Sequence, residues 1–293
     1  MLQINASIVQ HNSKVWCAWR TMYIHNFDSE SYLAELDDNF ELISTVKLIS
    51  ENGNSAFEDV RLFSFGEFLL GFYSYFPKND QGGWDNLFGV GLGIIDLATG
   101  TIKNQLSLRF LSRRLHEKNW VPYIYNDELY LITDFDPYLR IIKITNLSSS
   151  LKASDVFTSS DLTKSWEYGE IRGGTPLISC PSPEENCLFG FVHSYLPDHE
   201  GFDRFYYFTA VKFNPETNEF RYHPKPLSYP DNVLDEDHYF LWEDIHNKSV
   251  KVIFPIGIIS VDNGILVSFG IDDVRSYTEF FSWDFMTGLF EAS

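Results

Sequence analysis

Short apolar runs bounded by turn-forming residues dominate the chain. Phe68 to Tyr75 (Phe-Leu-Leu-Gly-Phe-Tyr-Ser-Tyr), Glu128 to Thr133 and Ile265 to Phe269 are rich in β-branched or aromatic side chains, with Gly, Asn, Asp and Pro around them. This is the pattern of strands, whose pleated surface suits such side chains. A helix would show apolar positions at i, i+3 and i+4 over roughly ten residues. No segment shows that spacing convincingly, so the pattern predicts an all-β chain.

One turn signature recurs. Ile95 to Ile102 (Ile-Asp-Leu-Ala-Thr-Gly-Thr-Ile), Phe213 to Phe220 (Phe-Asn-Pro-Glu-Thr-Asn-Glu-Phe) and Trp283 to Phe290 (Trp-Asp-Phe-Met-Thr-Gly-Leu-Phe) each place an Asx at a strand end. Thr followed by Gly or Asn comes next, and then a new apolar run. The Asx side chain can cap the turn, and Gly or Asn accepts the positive φ it needs. Weaker copies lie at Leu36 to Phe40 and Ile144 to Leu147. The markers Asp37, Asp96, Asn146, Asn214 and Asp284 recur about every 50 to 70 residues, the length of a four-stranded propeller blade with loop insertions. A β-sandwich with coincidental hairpins is the competing architecture; the regular spacing favours a five-bladed β-propeller. No linker or low-complexity tract divides the chain, so residues 1–293 are expected to form one domain.

Composition narrows the functions. The chain is 44% hydrophobic and 17% aromatic, with 26 Phe and 16 Tyr, which supplies a core and argues against disorder. A formal net charge of −19 argues against gripping nucleic-acid phosphates or an anionic membrane surface. A cationic pocket inside the acidic shell stays possible. The N-terminus lacks a basic region before an apolar run, and no segment reaches the ~18 apolar residues of a membrane span. A cytoplasmic protein without membrane insertion is expected. Cys17, Cys180 and Cys187 are odd in number and lack metal-type spacing, so free buried thiols are expected. No His or Cys grouping points to a metal, no Gly-x-Ser-x-Gly elbow to a serine nucleophile, and no cofactor is implied.

Polar clusters interrupt the strand pattern about once per unit. In Glu58-Asp59-Val60-Arg61-Leu62, an extended backbone would put Asp59 and Arg61 on one face and Glu58 on the other. The pair is either a structural ion pair at a blade edge or a catalytic carboxylate with its cation. In Glu117-Lys118-Asn119-Trp120-Val121-Pro122, Lys118 offers a point charge, Asn119 a hydrogen-bonding amide, and Trp120 an apolar wall for a sugar face. The same residues suit a plain strand start. Arg172-Gly173-Gly174-Thr175-Pro176 joins a guanidinium to two glycines whose N–H groups could cradle an oxyanion; the alternative is a tight turn. His193 lies in an apolar strand, as a core histidine or a ligand-facing one. Asp272 and Asp273 fit a strand end opening into a loop.

Taken in order, these clusters resemble glycoside hydrolase family 130, the five-bladed mannosyl phosphorylases and mannosidases, and their β-mannosyltransferase-like relatives. Asn5-Ala6 and Trp19-Arg20 resemble the family's opening Asn-Pro motif and first-blade Arg. Phe57 to Leu62 resembles its Glu-Asp-Pro-Arg motif, with Val60 in place of Pro. Arg172 to Pro176 with His193 resembles its glycine-rich turn and later His. Phe254-Pro255-Ile256-Gly257 and Phe269-Gly270-Ile271-Asp272-Asp273 resemble its closing pair. The Glu-Lys-Asn-Trp and Arg-Gly-Gly-Thr-Pro forms look closer to a transferase-associated branch.

The resemblance implies that Asp59 is the general acid or base of an inverting transfer, its proton relayed through a sugar hydroxyl. It implies that Arg61, Lys118, Arg172 and His193 hold phosphate or another anion. It assigns Asn5, Arg20 and Asp273 to sugar hydroxyls, beside the binding roles read above for Asn119 and Trp120. The expected function is transfer of a mannose-like sugar to or from phosphate, a sugar phosphate or a nucleotide sugar. An inverting β-mannoside hydrolase, needing a second carboxylate, and a non-catalytic glycan- or protein-binding propeller are the alternatives.

Overall fold

The computed structural model describes residues 2–22, 29–51, 57–75, 89–107, 119–135, 137–147, 149–159, 166–181, 186–199, 202–227, 250–272 and 274–291. Lys118 and Asp273, like Glu117 and the basic residues Arg109, Arg113 and Arg114, lie outside them.

Five mainly antiparallel sheets follow one another along the chain, as a propeller requires. Blade 1 is β1 (Leu2–His11), β2 (Lys14–Met22), β3 (Ser29–Leu36) and β4 (Leu42–Lys47). After the short β5 (Ile49–Ser50), blade 2 is β6 (Phe57–Phe65), β7 (Phe68–Tyr75), β8 (Gly89–Asp96) and β9 (Thr101–Ser107). Blade 3 is β10 (Val121–Tyr125), β11 (Glu128–Asp134), β12 (Arg140–Thr145) and β13 (Lys152–Thr158).

Blade 4 has an interrupted inner strand, β14 (Glu170–Arg172) and β15 (Ile178–Ser179), both paired with β16 (Leu188–His199). It continues through β17 (Phe202–Phe205), β18 (Phe208–Asn214), β19 (Glu219–Tyr222) and β20 (Val250–Lys251). Blade 5 has three strands among the described residues, β21 (Ile253–Val261), β22 (Gly264–Ile271) and β23 (Arg275–Ser282), followed by helix α1 (Trp283–Glu291).

The blades stack face to face, so each interface is a shared core. Val9, Trp16 and Leu33 of blade 1 meet Phe57, Val60 and Leu62 of blade 2. Leu70 and Leu92 of blade 2 meet Trp120 and Leu131 of blade 3. Val121 and Ile141 then meet Ile171 and Val192, and Phe191 and Phe208 meet Ile265 and Phe269. Strands buried on both faces read as continuous apolar runs, which is why the sequence shows them so clearly. The ring closes between blades 5 and 1 by close backbone approach. A Cβ on Gly257 would lie 2.2 Å from the Ile8 nitrogen, and one on Gly270 would lie 1.8 Å from Asn5 Oδ1.

The turn signature works as expected in the outer hairpins of blades 1, 2 and 4. Asp96 Oδ1 accepts from the Ala98 and Thr99 nitrogens at 3.0 and 3.2 Å, and Asn214 Oδ1 from Glu216 and Thr217 at 2.9 and 3.1 Å. Asp37 does the same for Asn39 and Glu41. Gly100 and Asn218 carry the positive φ, at 68° and 58°. The fifth copy departs: Trp283 to Phe290 is helical, not a hairpin. Its Trp283, Met286, Leu289 and Phe290 have the i, i+3 spacing of an apolar helix face, and Met286 is fully buried between blades 4 and 5.

The cysteine expectation also needs correction. Cys180 and Cys187 form a disulfide across the β15–β16 loop, with Cα atoms 5.6 Å apart and a Cys180 N–H bond to the Cys187 carbonyl at 3.0 Å. Only Cys17 is free, and burial pushes its thiol up to about 12. Among the described residues no helix is long and apolar enough to cross a membrane.

Candidate active site

At one end of the ring, the strands nearest the axis stop being regular. β1 shifts register against β2 between Ile4 and Ser7, and β6 against β7 between Glu58 and Arg61. At these bulges Asn5 and Asp59 adopt φ of 57° and 53°; Asn119, just before β10, has 67°, and Asp272, at the end of β22, has 52°. Left-handed backbone is uncommon outside Gly, and Asn and Asp tolerate it best. Four Asx residues thus turn their side chains out of the alternation at the top of four blades.

The bulge in β6 sets the first constellation. Asn5 Nδ2 donates to Asp59 Oδ1 at 2.7 Å. Arg20, on β2, reaches Glu58 Oε1 at 3.0 Å with one terminal nitrogen and Asp59 Oδ1 at 3.6 Å with the other. Strict alternation would have sent Glu58 away; the left-handed turn at Asp59 brings both carboxylates to one guanidinium. Asn5 and Arg20, expected on sugar hydroxyls, here hold Asp59.

Arg61 is the centre of the second constellation. It is only 4% exposed and has no ion pair among the described residues. Its terminal nitrogen donates to Asn119 Oδ1 at 2.5 Å, and its Nε is buried without a hydrogen bond. The guanidinium lies 4.8 Å over the ring of Phe254 on β21. Blades 2 and 5 are not neighbours in the ring, so this contact crosses the propeller axis. Burial lowers the Arg61 pKa to about 10, against the opposing charge of Asp59, and it stays a cation at neutral pH.

Asn119 also links blade 3 to blade 4, its Nδ2 lying 3.4 Å from His193 Nε2. His193 is 1% exposed, stacks on Tyr206 and meets Phe254 edge-on. Burial, then the charges of Arg172 and Arg61, hold its pKa well below the ordinary value, the Gly173 backbone opposing. His193 is therefore neutral and can contribute only as a hydrogen-bonding ring. Arg172, paired with His193 across β14 and β16, lies 4.7 Å over the Tyr195 ring and 3.9 Å from Glu170.

One expectation is corrected here. Trp120 is 1% exposed within the core between blades 2 and 3, so it cannot serve as a wall for a sugar. The glycines of Arg172 to Pro176 are also close-packing positions. A Cβ on Gly173 would sit 1.6 Å from the Asn119 carbonyl oxygen and one on Gly174 2.2 Å from that of Phe191, while the Thr175 N–H is spent on Phe191 O. Asp272 secures the end of blade 5, accepting from the Val252 nitrogen at 2.7 Å.

Sequence reasoning missed the platforms Phe254, Tyr195 and Tyr206. Phe254 stood within a recognised motif; the two tyrosines had no distinguishing signal in an aromatic-rich chain.

The geometry is a ring closed around an axis: a carboxylate held by an amide and a guanidinium, beside a buried cation that makes no ion pair among the described residues. It can move a proton at Asp59 and bind negative charge near Arg61. No family model and no curated protein sequence matches the chain. Solved structures share its five-bladed fold. β-1,2-Mannobiose phosphorylase from Listeria innocua, in complex with β-1,2-mannobiose, is similar at 11% identity and TM-score 0.65, over 100% of this chain and 93% of that one. MPT-1, a GDP-Man-dependent mannosyltransferase from Leishmania mexicana, is similar at 12% identity and TM-score 0.59, over 96% and 85%. An α-L-arabinofuranosidase from Lactobacillus brevis follows at 9% and 0.55, over 96% and 90%. At such identities the likeness establishes the fold, which hosts transfer, phosphorolysis and hydrolysis alike.

Proposed function

We propose that this chain is a carbohydrate-active transferase that moves a mannose-like sugar, with inversion, to or from phosphate, a sugar phosphate or a nucleotide sugar. One observation carries the reading: Asp59, gripped by Asn5 and Arg20, stands two residues from a buried Arg61 that makes no ion pair among the described residues. A buried charge without an ion pair is costly, and a bound anion would offset that cost. In the synthetic direction the acceptor hydroxyl gives its proton to Asp59 as its oxygen attacks the anomeric carbon, and the anomeric C–O bond breaks with its electron pair going to the phosphate. Arg61 and Arg172 hold that leaving anion. Phosphorolysis runs the same steps in reverse. The phosphorylase and mannosyltransferase among the fold relatives support a mannose-like substrate.

Hydrolysis is the second reading, favoured by the β6 bulge, which turns Glu58 toward the same guanidinium as Asp59 and so offers a second carboxylate to activate water. Incubation with β-mannosides, with and without phosphate, separates the two: phosphate-dependent consumption marks a phosphorylase, phosphate-independent consumption a hydrolase. GDP-mannose and mannose phosphates serve as donors where neither occurs. Asp59→Asn is expected to abolish whichever turnover is found, and full activity in that variant would sink the assignment.

A further inference from the structure

The outermost strands of the five blades end their sheets differently. β4 shifts register against β3 between Glu35 and Leu36, and β13 against β12 between Ile141 and Ile142. β9 shifts between Leu92 and Ile94 and is covered by β5. β19 has only four residues. Bulged, covered or short edges are poor templates for another strand.

β23 has none of these protections. Its eight residues pair with β22 without a shift, it contains neither Pro nor Lys, and no described strand lies on its outer side. Among the described residues it is the third and last strand of its blade, where the other blades have a fourth. The turn signature that opens the fourth strand elsewhere recurs at Trp283, but there the chain becomes α1 and sends Met286 into the core between blades 4 and 5.

We propose that β23 is the interface of a homodimer, in which the β23 strand of a second copy of this chain pairs with it antiparallel about a two-fold axis. The two three-stranded blades then form one six-stranded sheet. Residues opposite one another in an antiparallel pair share the same hydrogen-bonding orientation, so the axis passes through a residue and not between two. With the axis at Tyr277, Arg275 lies opposite Glu279 of the partner subunit, twice by symmetry.

Arg275 has no ion pair among the described residues, and its Nε is buried without a hydrogen bond. Glu279 accepts from the Tyr277 hydroxyl at 2.8 Å. One Arg and one Glu make β23 neutral in a chain of net charge −19, so this edge can meet its copy without the general repulsion. Pairing also satisfies the free main-chain groups of the edge and covers Phe280, which is 47% exposed.

Sedimentation equilibrium of the full chain over a concentration series tests the interface. A monomer–dimer equilibrium is expected. Glu279→Arg sets like charges opposite each other at two places and should weaken the dimer about tenfold; the exchange Arg275→Glu with Glu279→Arg should restore it. Phe280→Ser, at an exposed side chain, is a second variant expected to weaken the dimer should Glu279→Arg fail to fold. A monomer at every concentration, open-ended association, or a dimer indifferent to these substitutions overturns the proposal.

Discussion

Arg61 carries a full charge into a place where the described residues offer no carboxylate within ion-pair reach. Its neighbours are the Asn119 amide and the Phe254 ring, neither of which repays the loss of water around a guanidinium. Arg61→Met should therefore stabilise the free protein by roughly 1–3 kcal/mol while removing the proposed anion site. Thermal melts with and without phosphate check this. The native chain should gain about 2.7 kcal/mol at a hundredfold excess over its dissociation constant, and the variant should gain nothing. His193 gives a pH signature. Its folded pKa lies well below the unfolded value near 6.5, so the unfolded chain binds the proton more readily. Stability is full above that value and falls as pH drops below it, at up to about 1.4 kcal/mol per pH unit. Buried His11, lowered for the same reason, adds to the slope. In denaturant titrations across acidic pH, His193→Gln should flatten the dependence without removing it.

At the level of elements, two glycines predict opposite outcomes. Gly173 brings β14 against the backbone before β10, leaving no room for a Cβ beside the Asn119 carbonyl. Gly173→Ala should cost roughly 3 kcal/mol or more and weaken phosphate binding, since Asn119 and Arg172 must move. Gly288 lies in α1 with nothing within 4 Å of a Cβ; Gly288→Ala should stabilise by about 0.5–1 kcal/mol. Melting curves of both variants decide. These cases mark what was legible in the chain. Asp96 and Asn214 announced their turns because an Asx cap and a positive φ are satisfied within five residues. Gly173 looked like part of a ligand loop because its packing reason, a carbonyl on another blade, lies more than fifty residues away. Glu58 was misplaced because alternation fails at a bulge, and the Asp59 turn that causes it has no local marker. Trp283 to Phe290 carried the turn signature, yet helical spacing and the pocket for Met286 prevailed.

For the molecule as a whole, the ring is held by interfaces of similar make-up, and the disulfide lies apart from the site. Cys187 adjoins the start of β16, six residues before His193. Reduction should lower stability by roughly 2.5 kcal/mol, the entropy of closing so small a loop, and leave phosphate binding unchanged; melts in reductant with a parallel binding assay test both. The sequence by itself determined the strands, the outer turns and the count of five units, because alternation, Asx caps and apolar runs are settled between near neighbours. It also showed which polar residues interrupt the pattern. Only the tertiary structure decided what those residues do: that Asn5 and Arg20 grip Asp59, that Trp120 is core, and that Arg61 reaches Phe254 across the axis. Closing a ring joins residues from blades distant in the chain, and burial, charge pairing and backbone clearance exist only once those blades have met.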